Sequence, residues 1–162
     1  IYYALAGNIA INNCFNIKAI HAAVGNPEKE GTTLGIPIID YTIPSSFGSL
    51  ELQKKENTEF VGQDVDYDAL QAVPLIAIDS LELERIDFAK IDVEGMEMDV
   101  LKGAMNSIEK FNPVLLIEVI KSNSQEIVAL LTNLGYQVFG LGINILAIHR
   151  DDPILDEIKQ KL

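Results

Sequence analysis

Two apolar segments, FAKIDV (88–93) and PVLLIEV (113–119), flank a stretch whose apolar residues recur at helical spacing. This alternation restricts the chain more than any other feature. Met96, Val100, Leu101, Ala104, Ile108 and Phe111 fall on one stripe, with Glu97, Asp99, Lys102, Asn106 and Glu109 facing away from it. FAKIDV is apolar enough to predict a strand buried on both faces. PVLLIEV opens with a proline at the position where a missing donor matters least. Ser122, with Gln125 three residues on, resembles a capping box. It predicts a helix that turns Ile127, Val128, Leu130, Leu131 and Leu134 inward and stops at Gly135. YQVFGL and NILAIH follow as an antiparallel closing pair, and Asp152-Pro153 opens a short last helix, ILDEIKQKL. The fold class expected is α/β, a sheet with flanking helices.

The first half is less regular. Leu5, Ile9 and Cys14 suggest a helix within residues 1–16, ended by Asn12, Asn13 and Asn16. IKAIHAAVG (17–25) reads as a strand stopped by Gly25 and Asn26-Pro27. Residues 31–68 read as irregular, with extended pieces at GIPIIDYTI and SLELQ, and VPLIAIDSL (73–81) as a short strand entering a turn. With 162 residues, 48% of them hydrophobic, the chain suits one domain, residues 1–162, with a substantial core.

A net charge of −12 argues against nucleic acid as a partner, because binding a phosphate backbone relies on Lys and Arg. Cys14 is the only cysteine, and no Cys/His cluster has zinc spacing, which favours a reducing, cytoplasmic setting. No apolar run reaches the length of a membrane span, so no membrane partner is expected. The expected partner is a small-molecule acceptor.

In open α/β sheets ligands bind beyond the carboxyl ends of the strands. Asp92 and Glu118 sit at two such ends, directly after apolar residues, where an unpartnered carboxylate is expensive to desolvate. Neighbouring strands would aim both into one acidic crevice, with Glu94 and Glu97 nearby. For Glu97 and Asp99 the helix dipole is a sufficient explanation. Gly95 lets the backbone turn tightly and, secondarily, lets a ligand approach, whereas Gly103 suits close helix packing. His21 and His149 lie far apart with no nucleophile motif, and read as core or surface residues. Tyr41, Phe47 and Ser49 occupy a loop that would shape an acceptor pocket.

IDFAKIDVEGMEMDVLKGA followed by PVLLIEV resembles the most characteristic segment of the FkbM-type methyltransferases, S-adenosylmethionine-dependent enzymes. NIKAIHAAVGN and VPLIAIDSL extend the resemblance, which covers about residues 5–150. It implies a Rossmann-like class I methyltransferase sheet, S-adenosylmethionine as cofactor, and O-methylation of a hydroxyl on a small metabolite or sugar. In such an enzyme Asp92 is the first choice for acceptor contact or general base, Glu94 the second and Glu118 the third. Ala23, Val24, Asp92 and Gly95 are the expected cofactor neighbours. The same carboxylates would alternatively hold a divalent cation; the resemblance itself implies no metal.

The family's glycine-rich turn after the first strand, and the acidic residue ending its second, have no counterpart here; GLGIN (140–144) reads as a turn between strands. The chain thus reads as a member lacking its first strands, with exposed strand edges through which it would form a homo-oligomer. The alternative reading is a truncated, non-catalytic remnant acting as a self-associating or interaction domain.

Overall fold

A computed structural model describes residues 1–30, 32–54 and 57–161, with backbone alone for Lys29 and Glu30. The chain divides into two units, Ile1–Ala23 with Glu30–Leu75, and Val24–Lys29 with Ile76–Leu162. Helix α1 (Tyr2–Ile11) begins the first unit and ends at the expected asparagines, with Asn13 in the left-handed region at φ 53°. None of its residues is buried. The strand expected over 17–25 shrinks to β1 (Ala23–Val24), and helix α2 (Pro27–Glu30) follows.

The region expected to be irregular contains more strand than its composition suggests. Strand β2 (Thr33–Ile38) pairs antiparallel with the 11-residue β3 (Asp66–Ile76), from Thr33 opposite Pro74 to Pro37 opposite Leu70. The register shifts between Pro37 and Ile38. The sheet order β1-β3-β2 leaves β2 at an edge, where a proline inside a strand is tolerated. Alternation of exposed and covered residues across Asp66–Ala69 is the signal that the turn-rich composition around it obscures.

In the second unit, β4 (Phe88–Ile91), β5 (Val114–Glu118), β6 (Tyr136–Leu141) and β7 (Asn144–His149) form a sheet of order β4-β5-β7-β6. β4 and β5 are parallel, and β6 and β7 form the expected antiparallel pair. Leu101, Leu115, Ile117, Ile127, Leu131 and Ala147 lie at the centre of its core. β5, inside the sheet, alternates half-buried and buried residues. β4 departs from expectation: only Ile91 is buried, and Phe88 is 55% exposed, because β4 is the outer strand of this sheet.

The single expected helix after β4 is two, α3 (Glu97–Lys102) and α4 (Met105–Phe111). The inward stripe holds at Val100, Leu101, Ala104 and Ile108, which are all buried. Asp79 supplies the cap that α4 lacks locally, accepting hydrogen bonds from the backbone N–H of Ser107 at 2.8 Å and of Asn106 at 3.0 Å. Burial works against its charge, but the hydrogen bonds from Ser107 and Asn106 outweigh it and hold the carboxyl below its ordinary value.

Helix α5 (Ser124–Asn133) is capped by Asn123 rather than Ser122. Asn123 Oδ1 accepts from Glu126 N–H, and its amide donates to Glu126 Oε1 at 2.7 Å. Gly135 then ends the helix at φ 88°. At the start of α6 (Ile154–Lys159) Pro153 holds the N-cap position, one residue later than the Asp-Pro pair suggested, and Asp152 Oδ1 accepts from Ile154 N–H at 2.9 Å. Among the described residues no helix is long and apolar enough to cross a membrane.

Gly103, at the break between α3 and α4, is required by contact. A Cβ there would lie 2.1 Å from the Gly25 carbonyl oxygen and 3.3 Å from Ala77 Cβ, and a backbone atom cannot swing aside as a side-chain tip can. Gly103→Ala is therefore expected to destabilise the protein by about 2 kcal/mol or more, the range of overpacked cores. Urea unfolding measures it, and an unchanged midpoint would contradict the close packing.

Candidate functional site

The parallel register of β4 and β5 assembles the site. Their last paired residues, Ile91 and Ile117, both turn into the core. One residue further on, side chains point to the opposite face, so Asp92 and Glu118 emerge side by side at the carboxyl ends. Asp92, Glu94 and Glu118 can each bring a carboxylate oxygen within 4.8 Å of the others. The structure thus unites all three residues expected to carry chemistry. Exposed carboxylates often cluster without a cation, and geometry alone does not make a metal centre of this trio.

Two lysines balance the cluster unequally. Lys90 Nζ contacts Asp92 Oδ2 from two residues away on the same face of β4. Lys121, in the loop after β5, meets Glu94 Oε2 at 2.7 Å, with both side chains less than a fifth exposed. Glu118 makes no ion pair among the described residues. Its carboxyl is raised above the ordinary value, first by burial and then by the charges of Asp92 and Glu94, with Lys90 opposing and Glu97 adding to the rise.

The turn after β4 has unusual backbone. Glu94 lies at φ 53° and Gly95 at φ 98°, so two consecutive residues are left-handed. Glycine tolerates this freely, whereas a glutamate held there costs about 1–3 kcal/mol. Gly95 therefore has the turning role expected of it.

Glu97 corrects the sequence reading. Far from facing solvent at the start of a helix, it is 2% exposed. Its Oε1 accepts from the backbone N–H of Val93 and of Gly95, each at 3.2 Å, and its Oε2 accepts from Ser122 Oγ. Ser122, read as a helix cap, instead serves this carboxylate. The available signal was the turn itself, whose inward-pointing N–H groups call for an acceptor. Lys121 carried no sequence signal, because its partner is distant along the chain.

An apolar cavity of about 290 Å³ lies beside β4, lined by Val24, Ile78, Phe88, Ile91, Val93 and Leu115 among others. Asp92, Glu94 and Glu118 do not line it. Of the expected cofactor neighbours, Asp92 and Gly95 lie in the carboxylate turn and Val24 lines this cavity, while Ala23 ends the first stretch of the other unit. Gly142, at φ 62° between β6 and β7, confirms GLGIN as a hairpin turn. His149 is buried against the Tyr136 ring at 5.3 Å, and His21 stacks on Tyr2 at 4.5 Å. In the other unit the Tyr41 and Phe47 rings lie 5.1 Å apart.

Residues 2–138 match the Methyltransferase FkbM domain, and the chain belongs to that family. A methyltransferase family implies a methyl donor of the S-adenosylmethionine type. Neither curated proteins nor solved structures gave a match.

The raised carboxyl of Glu118 has a definite stability sign. A group that binds its proton more tightly when folded costs stability as pH rises from its ordinary value, 4.5, through the higher folded value. Glu118→Gln should therefore be more stable than the parent at pH 7, with the difference gone by about pH 4. Thermal unfolding at the two pH values measures this, and equal stability at pH 7 would show that Glu118 is not strained by its neighbours.

Proposed function

We propose that the chain uses S-adenosylmethionine to methylate a hydroxyl of a small metabolite or sugar, with Asp92, Glu94 and Glu118 at the reacting end of the site. The observation that carries this reading is the convergence of the three carboxylates at the carboxyl ends of two parallel strands. Among the described residues three carboxylates, Asp92, Glu94 and Glu118, meet two lysines there, and the excess negative charge suits the sulfonium and ammonium groups of such a cofactor. Bound S-adenosylmethionine supplies an electrophilic methyl group.

The side chains divide the remaining work. Lys90 and Lys121 neutralise Asp92 and Glu94, which suits those two to holding and orienting polar groups. Glu118, without an ion-pair partner among the described residues and with its proton affinity raised, is the better base. In the methyl transfer Glu118 would take the proton of the acceptor hydroxyl. Asp92, first in sequence order, is the contact residue in this arrangement. Cytoplasmic residence accords with the single cysteine, Cys14.

Calorimetric titration with S-adenosylhomocysteine, with and without magnesium, tests the reading. Saturable binding at micromolar ligand is expected, weakened at least tenfold by Asp92→Ala. No heat at millimolar ligand would remove the cofactor site. Binding only with magnesium would make the carboxylates cation ligands.

A second reading, self-association, is favoured by β4 as an outer strand bearing exposed Phe88 and by the uncovered apolar residues of α1, Tyr3 and Ile11. Sedimentation velocity should show a dimer or larger species at 100 μM, reduced by Phe88→Asp. A monomer throughout would end this reading.

A further inference from the structure

A carboxylate as buried as Glu97 is tolerated only when donors replace the water it has lost. Its donors come from two separate loops. Val93 N–H and Gly95 N–H flank Glu94 in the turn after β4, and Ser122 Oγ belongs to the loop after β5. The first two converge on a single oxygen, as backbone N–H groups do in the anion-binding concavities that left-handed turns create. Here the anion is the chain's own side chain, so the turn is occupied from within.

A second tie joins the same two loops. Lys121, next to Ser122, pairs with Glu94, the left-handed residue lying between the two N–H donors. The loop after β5 is itself anchored, since Val119 N–H donates to the Ile143 carbonyl at 3.0 Å in the β6–β7 turn. Asp92 and Glu94 lie on one side of these ties and Glu118 on the other.

We infer that Glu97 is a positioning residue: its buried carboxylate clasps the turn after β4 to the loop after β5, and so keeps Asp92, Glu94 and Glu118 in one cluster. Its functional consequence rests on the methyltransferase reading above; the clasp itself does not. Without Glu97 the N–H groups of Val93 and Gly95 lose their acceptor, and Glu94 loses the contacts that hold it left-handed. Its side chain then leaves Lys121, and the three carboxylates separate.

Two measurements on the full chain test this, amide hydrogen exchange at Val93 and Gly95 and S-adenosylhomocysteine affinity by calorimetry. Glu97→Ala is expected to speed exchange at both amides at least tenfold and to weaken binding at least tenfold. Glu97→Gln keeps an oxygen for the two amides and should stay within threefold of the parent in both readouts, which separates positioning from charge. A merely structural glutamate would lower the melting temperature and leave exchange at the two amides and the affinity of the folded protein unchanged, and that result overturns the inference. Should Glu97→Ala not fold, Ser122→Ala decides: the clasp requires at least threefold weaker binding with Val93 and Gly95 still protected, and unchanged affinity refutes it. A parent protein that binds no S-adenosylhomocysteine overturns the cofactor reading alone. Exchange at Val93 and Gly95 in Glu97→Gln and in Glu97→Ala or, failing that, Glu97→Asp then decides the clasp by itself.

Discussion

The second unit depends on the in-register parallel pairing of β4 with β5. Placing Ile91 beside Ile117 sends both into the core against Leu101 and Leu131, and the pleat then obliges the next residues, Asp92 and Glu118, to leave on the opposite face together. A slip of one residue would bury the carboxylates and expose the isoleucines. The hydrophobic requirement of the core is thus also what aligns the polar site, so that packing and chemistry share one register.

Electrostatic balance differs among the three carboxylates. Lys90 reaches Asp92 within β4, whereas Lys121 reaches Glu94 only because the β5 loop returns beside the β4 turn. Glu118 holds its proton more tightly first because burial disfavours its charge and then because its neighbours are mostly of its own sign. Three carboxylates a few ångströms apart therefore have different characters, set by which lysine each can reach. Glu97, satisfied by N–H and O–H donors, belongs to the framework holding the others.

Much of the second unit was legible because its signals are local. The boundaries of YQVFGL and NILAIH coincide with β6 and β7, and Gly135 and Asp152 punctuate α5 and α6 as their chemistry suggests. The failures have physical causes. FAKIDV is apolar throughout yet exposes Phe88, since strand composition does not tell an inner position from an outer one. The stripe from Met96 to Phe111 hides the break at Gly103, where the Gly25 carbonyl forbids a side chain. The sequence shows β3 over only its last residues, because its Asp residues, depleted in strands, and its Gln mask the alternation.

The sequence by itself determined the alternation of strands and helices, the strand-end placement of Asp92 and Glu118, and the family, because periodicity and motif are properties of consecutive residues. Tertiary structure alone decided that Glu97 is buried, that Ser122 serves it rather than a helix, and that Lys121 neutralises Glu94. Each of these depends on two loops meeting that lie some 25 residues apart along the chain. A side chain's charge is written in the sequence; the partner that compensates for its desolvation is chosen by the fold.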